Sequence, residues 1–172
     1  MGQIIENSLD WKIIKEILIK NWMTHDAMWF FHCVSNCGIK NTNKINKAAV
    51  KSMAKIEIKR IKKLFGFNKI QNFTQFQELV KGIFTIVKAD FMDFSFEYPE
   101  FNKFKFTMNK CFAYDGIKRI GYIKEYECGI FERLKGWFDE LGINYQMSPK
   151  VKGCMMNECA NCYRLFEFNF TE

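Results

Sequence analysis

Phe91-Met92-Asp93-Phe94-Ser95-Phe96-Glu97-Tyr98, a turn at Pro99-Glu100, and then Phe101-Asn102-Lys103-Phe104-Lys105-Phe106-Thr107-Met108 form the stretch that decides the fold. Met92, Phe94, Phe96 and Tyr98 alternate with Phe91, Asp93, Ser95 and Glu97. Past the turn, Phe104, Phe106, Met108 and Phe112 alternate with Lys103, Lys105, Thr107, Asn109 and Cys111. Successive side chains of a strand point to opposite faces, so this period of two gives each run one apolar face. The reading is a half-buried β-hairpin.

Upstream of it the period is helical. Residues 8–22 carry Leu9, Ile13, Ile14, Ile17 and Leu18 on one face, with Lys12, Lys15, Glu16 and Lys20 mostly opposite. A second helix is expected from Thr24 as N-cap to about Asn36, with Asp26 in its first turn and Gly38 just past its end. Its buried face is read as Trp29, Phe30, Cys33, Val34 and Cys37. A third helix is expected over 43–65, closed by Gly66, and a shorter one over 74–84. Downstream, Asp115-Gly116 reads as a turn. Cys128-Gly129 opens an amphipathic helix that buries Ile130, Phe131, Leu134, Trp137, Phe138 and Leu141, and Gly142 stops it. Ile143-Asn144-Tyr145 starts a strand. A last strand, Tyr163-Arg164-Leu165-Phe166-Glu167-Phe168-Asn169-Phe170, closes the sheet. The expected architecture is a single α+β domain, with helices packed over one face of an antiparallel sheet. Residues 1–86 are mainly helical, and 87–172 hold the sheet, a helix and a cysteine-rich end.

The bulk properties agree with a packed domain. The chain has 172 residues, 48% of them hydrophobic and 17% aromatic, which excludes disorder. No apolar run is long enough to span a bilayer, no signal peptide is read, and Gly2 lacks the Ser or Thr of a myristoylation motif at Glu6. A cytoplasmic protein is expected. Its seven cysteines would then remain thiols.

Three of those thiols crowd into Cys154-Met155-Met156-Asn157-Glu158-Cys159-Ala160-Asn161-Cys162, just ahead of the last strand. Thiolates are soft ligands, and close spacing lets one loop offer several to one ion. A tetrahedral zinc or an iron-sulfur cluster needs a fourth ligand. Cys111 is the first choice and Cys128 the second, so the candidate metal set is Cys111, Cys128, Cys154, Cys159 and Cys162. Simple burial of these thiols is the competing reading, since free cysteine is among the most buried residue types. His25 and Asp26 are the candidate proton-transfer pair, because a helix N-terminus keeps an imidazole neutral. The bland alternative is that Asp26 caps the helix and His25 bonds locally. Lys47, Lys51, Lys55, Lys59 and Lys63 recur every four residues but lack interleaved aromatics and arginine, which argues for a solvated face and against a nucleic-acid partner.

Several short motifs appear in a shared order. They are Trp22-Met23-Thr24-His25-Asp26 with Trp29-Phe30, Gly38-Ile39, Asn46 and Ile56-Glu57-x-x-Arg60. They continue with Lys110-Cys111-x-Ala113-Tyr114, Tyr126-x-Cys128, Trp137-x-x-x-Leu141-Gly142 and the closing Cys154…Cys162. In this order the chain resembles a family of bacterial and archaeal cytosolic proteins similar to the L-2-amino-thiazoline-4-carboxylic acid hydrolases. The resemblance implies a small α+β domain with a ligand pocket, and hydrolysis of a C–S or C–N bond in a small heterocycle. The C-terminal sheet is also similar to small-molecule-binding domains of the 4-vinyl reductase type. Fold likeness alone does not transfer activity. The roles of His25, Asp26 and the cysteines therefore rest on their own chemistry. The expectation is a small-molecule enzyme with a thiolate-rich, metal-binding site. The alternative is a non-catalytic ligand- or metal-binding sensor.

Overall fold

The computed structural model describes residues 10–170. It contains nine elements in the order α1 (Trp11–Leu64), α2 (Phe73–Val87), β1 (Phe94–Glu97), β2 (Lys103–Met108), α3 (Phe112–Arg119), α4 (Ile130–Leu141), β3 (Tyr145–Ser148), α5 (Met155–Cys159) and β4 (Tyr163–Phe168). The strands form one antiparallel sheet in the order β1-β2-β4-β3. The domain is α+β, with most of its helical residues ahead of the sheet. The last strand enters the middle of the sheet, between β2 and β3.

The period of two does what the hairpin sequence requires. Phe94, Phe104, Phe106, Phe166 and Phe168 are buried on one face of the sheet. Glu97 and Lys105 pair on the other face at 2.7 Å. Cross-strand register sets Phe104 opposite Phe166 and Phe106 opposite Arg164. Two amphipathic helices cover the apolar face. From α2, Phe76 meets Phe104 edge-on and Phe84 stacks on Phe106. From α4, Phe138 packs edge-on against Phe166 and Phe131 against Phe106. Asn72 caps α2 by accepting a hydrogen bond from Gln75 N at 2.9 Å, and Gly142 ends α4 in the left-handed conformation.

The N-terminal helices differ from the expectation. Trp11–Leu64 is helical throughout except at Gly38, where φ is 73° and ψ 160°. Thr24 is not an N-cap: Asp10 caps the helix by accepting from Lys12 N at 3.1 Å, and the chain runs helical through Thr24-His25-Asp26. Residues 11–37 hold neither Gly nor Pro, so nothing interrupts the backbone ladder there. His25 and Asp26 therefore sit mid-helix, away from the dipole end that the N-cap reading assigned to them. Gly38 is the real break. In a straight helix Trp22 and Met53 would stand roughly 46 Å apart at 1.5 Å per residue. They line the same cavity, as do Phe30 and Asn46. The two arms of α1 therefore fold back on each other about Gly38. That backbone conformation is essentially confined to glycine.

The second arm of α1 packs over α4. Ala54 and Ile58 are fully buried, and a Cβ at Gly136 would come within 2.9 Å of Lys51 O. On the first arm only Phe30 and Val34 of the expected buried face are buried. Trp29 and Cys37 are exposed and Cys33 is half-buried. Two short helices were absent from the sequence reading. Phe112 and Asp115-Gly116, expected as strand and turn, belong to α3, and the cysteine loop contains α5. Three lysines of the stripe are held by carboxylates of α4 or the segment before it: Lys47 by Glu127, Lys51 by Asp139 at 2.7 Å and Lys59 by Glu140 at 3.2 Å. Among the described residues no helix is long and apolar enough to cross a membrane.

Candidate functional site: a cavity and the thiols behind its wall

The fold-back of α1 leaves a cavity of about 340 Å³ between its arms and the α3–α4 segment. Each wall is a helical stripe. Trp22, Asp26 and Phe30 come from the first arm, Asn46, Val50 and Met53 from the second, Ala113, Gly116 and Ile117 from α3, and Ile130 and Arg133 from α4. Spacings of three and four residues bring such sets onto one side of each helix. The lining is mainly aliphatic, aromatic and methionine side chains, with Asp26, Asn46, Arg119, Tyr126 and Arg133 as polar exceptions. A second, more open depression of about 590 Å³ lies across Trp22, beside Glu57 and Arg60.

The polar lining is held in different ways. Arg133 donates through Nε to Glu57 Oε2 at 2.9 Å and through an Nη atom to Glu57 Oε1 at 2.5 Å. Its guanidinium lies 5.1 Å from the Trp22 ring and 5.4 Å from the Trp137 ring. Trp137 Nε1 donates to the same Glu57 carboxylate at 2.8 Å. Tyr126 is buried, its ring edge-on to Phe30 at 5.8 Å, and its hydroxyl accepts from Gly129 N at 3.3 Å. Burial raises the Tyr126 phenol well above its ordinary range, so it is a neutral hydrogen-bonding group at physiological pH. Asn43, buried on the second arm, donates to Glu125 O at 2.7 Å and accepts from Glu127 N at 3.1 Å. That clamp fixes the segment leading to Tyr126 and Cys128.

Behind Tyr126 lie four thiols. Cys111 caps α3, with its sulfur accepting from Tyr114 N at 3.4 Å. Cys128 precedes α4 and touches both apolar clusters of the core. Cys154 caps α5 and packs in the cluster that contains Tyr126. Cys162 is joined to the end of β2 by the bond from Met108 N to its carbonyl at 2.8 Å. Cys111, Cys154 and Cys162 are buried. All six pairings of these four sulfurs lie within range of mutual charge repulsion. Burial pushes Cys111 up to about 11 and Cys162 up to about 12, and raises Cys128 as well. Amide N–H groups of Ile130 and Phe131 at the start of α4 oppose that rise at Cys128.

The predicted site residues are thus only partly brought together. Cys111, Cys128, Cys154 and Cys162 gather from four separate places in the chain. Cys159 ends the short α5 and is exposed, outside that group. Among the described residues no three His, Cys, Asp or Glu side chains, as they stand, close on a point that could hold a metal ion. His25 is 74% exposed, with Nδ1 3.6 Å from an Asp26 carboxylate oxygen. Asp26 lines the cavity and His25 does not. The arrangement of His25 facing the thiols is therefore absent, and Tyr126 and the α3–α4 segment stand between the cavity and the sulfurs.

Sequence reasoning missed Tyr126, Asn46, Arg119, Arg133 and Arg164 as site residues. Arg164 had a legible signal. Period two puts Cys162, Arg164, Phe166 and Phe168 on one face, so an arginine stands at an inward position of an apolar strand. It is 2% exposed, with one Nη atom donating to Tyr163 O at 2.6 Å and to Met155 Sδ at 3.1 Å, and the guanidinium 4.5 Å from the Phe131 ring.

Neither a curated protein nor a solved structure matches the chain. Residues 6–160 match a family of unknown function, DUF6125. That span takes in both arms of α1, the hairpin, the cavity walls and three of the four clustered thiols, and the chain belongs to this family.

Proposed function

We propose that the protein binds a compact, mostly apolar small molecule in the cavity between the two arms of α1 and the α3–α4 segment. The observation that carries this is the cavity itself. Its volume of about 340 Å³ lies at the small end of the range of roughly 300–1,000 Å³ usual for ligand sites. Its apolar lining and few convergent polar groups are those of such sites. Tyr126 and Asn46 offer hydrogen bonds from the wall. Arg119, at the C-terminal end of α3, and Asp26 offer charge. A molecule with an apolar ring and one polar or anionic end matches that set. Free thiols and the lack of a membrane-spanning helix among the described residues fit a cytoplasmic setting.

The test uses anilinonaphthalene sulfonate, an apolar aromatic anion. Titration of the native chain should give one saturable site. Val50→Trp and Ala113→Phe each put bulk into the cavity from a different helix, and either should abolish binding while circular dichroism is retained. Undiminished binding in both filled variants would sink the reading.

Hydrolysis of a C–S or C–N bond in a small heterocycle is a second reading, favoured by the Asp26 carboxylate at the cavity wall, with His25 beside it on the solvent side. Asp26 would take a proton from the water whose oxygen bonds to the ring carbon and return it to the sulfur or nitrogen as its bond to that carbon breaks, with His25 passing protons between Asp26 and solvent. Asp26→Asn should then end turnover of thiazoline-type heterocycles without loss of probe binding. A wild-type chain that turns over none of a panel of such rings discards this reading and leaves the binding proposal standing.

A further inference from the structure

Trp22 and Met53 line both the inner cavity and the open depression beside it. The two hollows therefore meet at one partition, made of Trp22 from the first arm of α1 and Met53 from the second. The second arm runs along both. Asn46, Val50, Met53, Glu57 and Arg60 follow one another at spacings of four and three, which sets them in one stripe of the helix. At 1.5 Å per residue that stripe is roughly 21 Å long. Its Asn46 end lies in the cavity and its Arg60 end in the depression. Lys15 Nζ donates to Thr85 O at 2.6 Å, which ties the first arm to the end of α2 and brings Ile86 in as the outer wall.

The partition is made of side chains that can move. Methionine is unbranched and flexible. Trp22 is 39% exposed, and its ring rests on the Arg133 guanidinium 5.1 Å away. Glu57 holds that guanidinium in place, so the indole can swing off it without the cation following. Charge is uneven along the trough. In the inner cavity Asp26 offsets Arg119, and Arg133 is paired with Glu57. In the outer depression the Glu57 oxygens are already spent on Arg133 and Trp137. Among the described residues no carboxylate pairs with Arg60. Arg60 is thus the cation left over, at the open end. The rest of the outer lining is Trp22, Met53 and three isoleucines, of which Ile56 and Ile86 are exposed. A chain lying there would remove that apolar surface from water.

We infer that the two hollows form one site for an unbranched alkyl carboxylate, with its carboxylate on Arg60 and its tail running past Trp22 and Met53 into the inner cavity. A guanidinium fork matches a carboxylate, and the head stays at the open, solvated end while the tail enters the apolar one. Trp22 is the gate between the two. The inference rests on the cavity as a ligand site and names the class of ligand that uses the full length of the trough.

The experiment titrates the full chain by calorimetry with straight-chain carboxylates from butanoate to dodecanoate, each kept below its micelle-forming concentration. Affinity should rise about fourfold with each methylene that enters the cavity, then level off once the tail fills it. Arg60→Gln should weaken binding of the best carboxylate by about threefold to fivefold and leave the alcohol of the same length unaffected. Arg119→Gln should leave the carboxylate unaffected. In stopped-flow measurements Trp22→Ala should speed association, because the partition is gone. Anilinonaphthalene sulfonate, which needs the inner cavity alone, should bind Arg60→Gln as it binds the native chain. Absence of a saturable probe site in the native chain would remove the cavity reading itself. With the probe site present, carboxylate affinity indifferent to chain length or to Arg60, dependence on Arg119 instead, or unchanged association in Trp22→Ala would overturn this inference alone.

Discussion

Replacing Gly38 with alanine should separate the hairpin account of α1 from any straight-helix account. Gly38 has φ 73° and ψ 160°, and a Cβ added there meets no atom within 4 Å. The cost is therefore conformational and not steric crowding by neighbours. Holding an alanine in such a region costs about 1–3 kcal/mol. The lower entropy of the unfolded alanine chain returns about 0.4–1 kcal/mol. The net expectation is a loss of about 1–2 kcal/mol, a shift of roughly one decade in the folding equilibrium. Urea unfolding followed by circular dichroism reads it directly. Because alanine also favours a continuous helix, the fold-back that builds the cavity is weakened, and probe affinity should fall along with stability. A variant as stable as the parent or more so, with probe binding intact, would refute the turn at Gly38 and with it the cavity derived from it.

Other outcomes follow from the same geometry. Glu57→Ala removes the acceptor for two Arg133 donors and for Trp137 Nε1. With both partners of the ion pair partly exposed, it should cost about 2–3 kcal/mol in urea unfolding, less than the 3–5 kcal/mol of a fully buried pair, and a cycle with Arg133→Ala should show coupling. Asn43→Ala leaves Glu125 O and Glu127 N without their partner and should cost about 2–4 kcal/mol by the same measurement. Gly136→Ala should destabilise the chain by about 1–2 kcal/mol even though alanine is the better helix former, because its Cβ meets the backbone at Lys51; a rise in melting temperature would contradict that packing. Cys111 and Cys162 keep their protons to about 11 and about 12, whereas the unfolded thiols lose theirs near 9.0. Above that point the folded state binds more protons than the unfolded one, so stability is full below about pH 9 and falls as pH rises through the folded values. Urea midpoints measured from pH 8 to 11 should decline, and the Cys111→Ser/Cys162→Ser pair should flatten the decline.

The sheet was readable because burial of one face imposes a period of two, and Phe94 through Phe106 and Phe166 through Phe168 keep it strictly. The long helices were readable for the same reason at a different period. Their junctions were not. Thr24 looks like a cap in sequence, but capping depends on where the ladder stops, and nothing between Trp11 and Cys37 stops it. Phe112 extends the strand alternation by coincidence, and Cys111 diverts the chain by capping a helix with its sulfur. The cavity was illegible because it arises from two arms of one helix meeting after a turn at a single glycine, a long-range event that no local pattern encodes. Gathering Cys111 and Cys128 with Cys154 and Cys162 was open to inference from their chemistry. Placing Cys159 at the surface required the turn of α5, and the burial of Arg164 required noticing that a strand turned a charge inward.

The most direct test of the central claim is a crystal structure of the chain grown with anilinonaphthalene sulfonate. The account predicts the probe between the two antiparallel arms of α1, its ring against Phe30 and Met53 and its sulfonate toward Arg119. A probe bound elsewhere on the surface, or arms that do not fold back at Gly38, would contradict it.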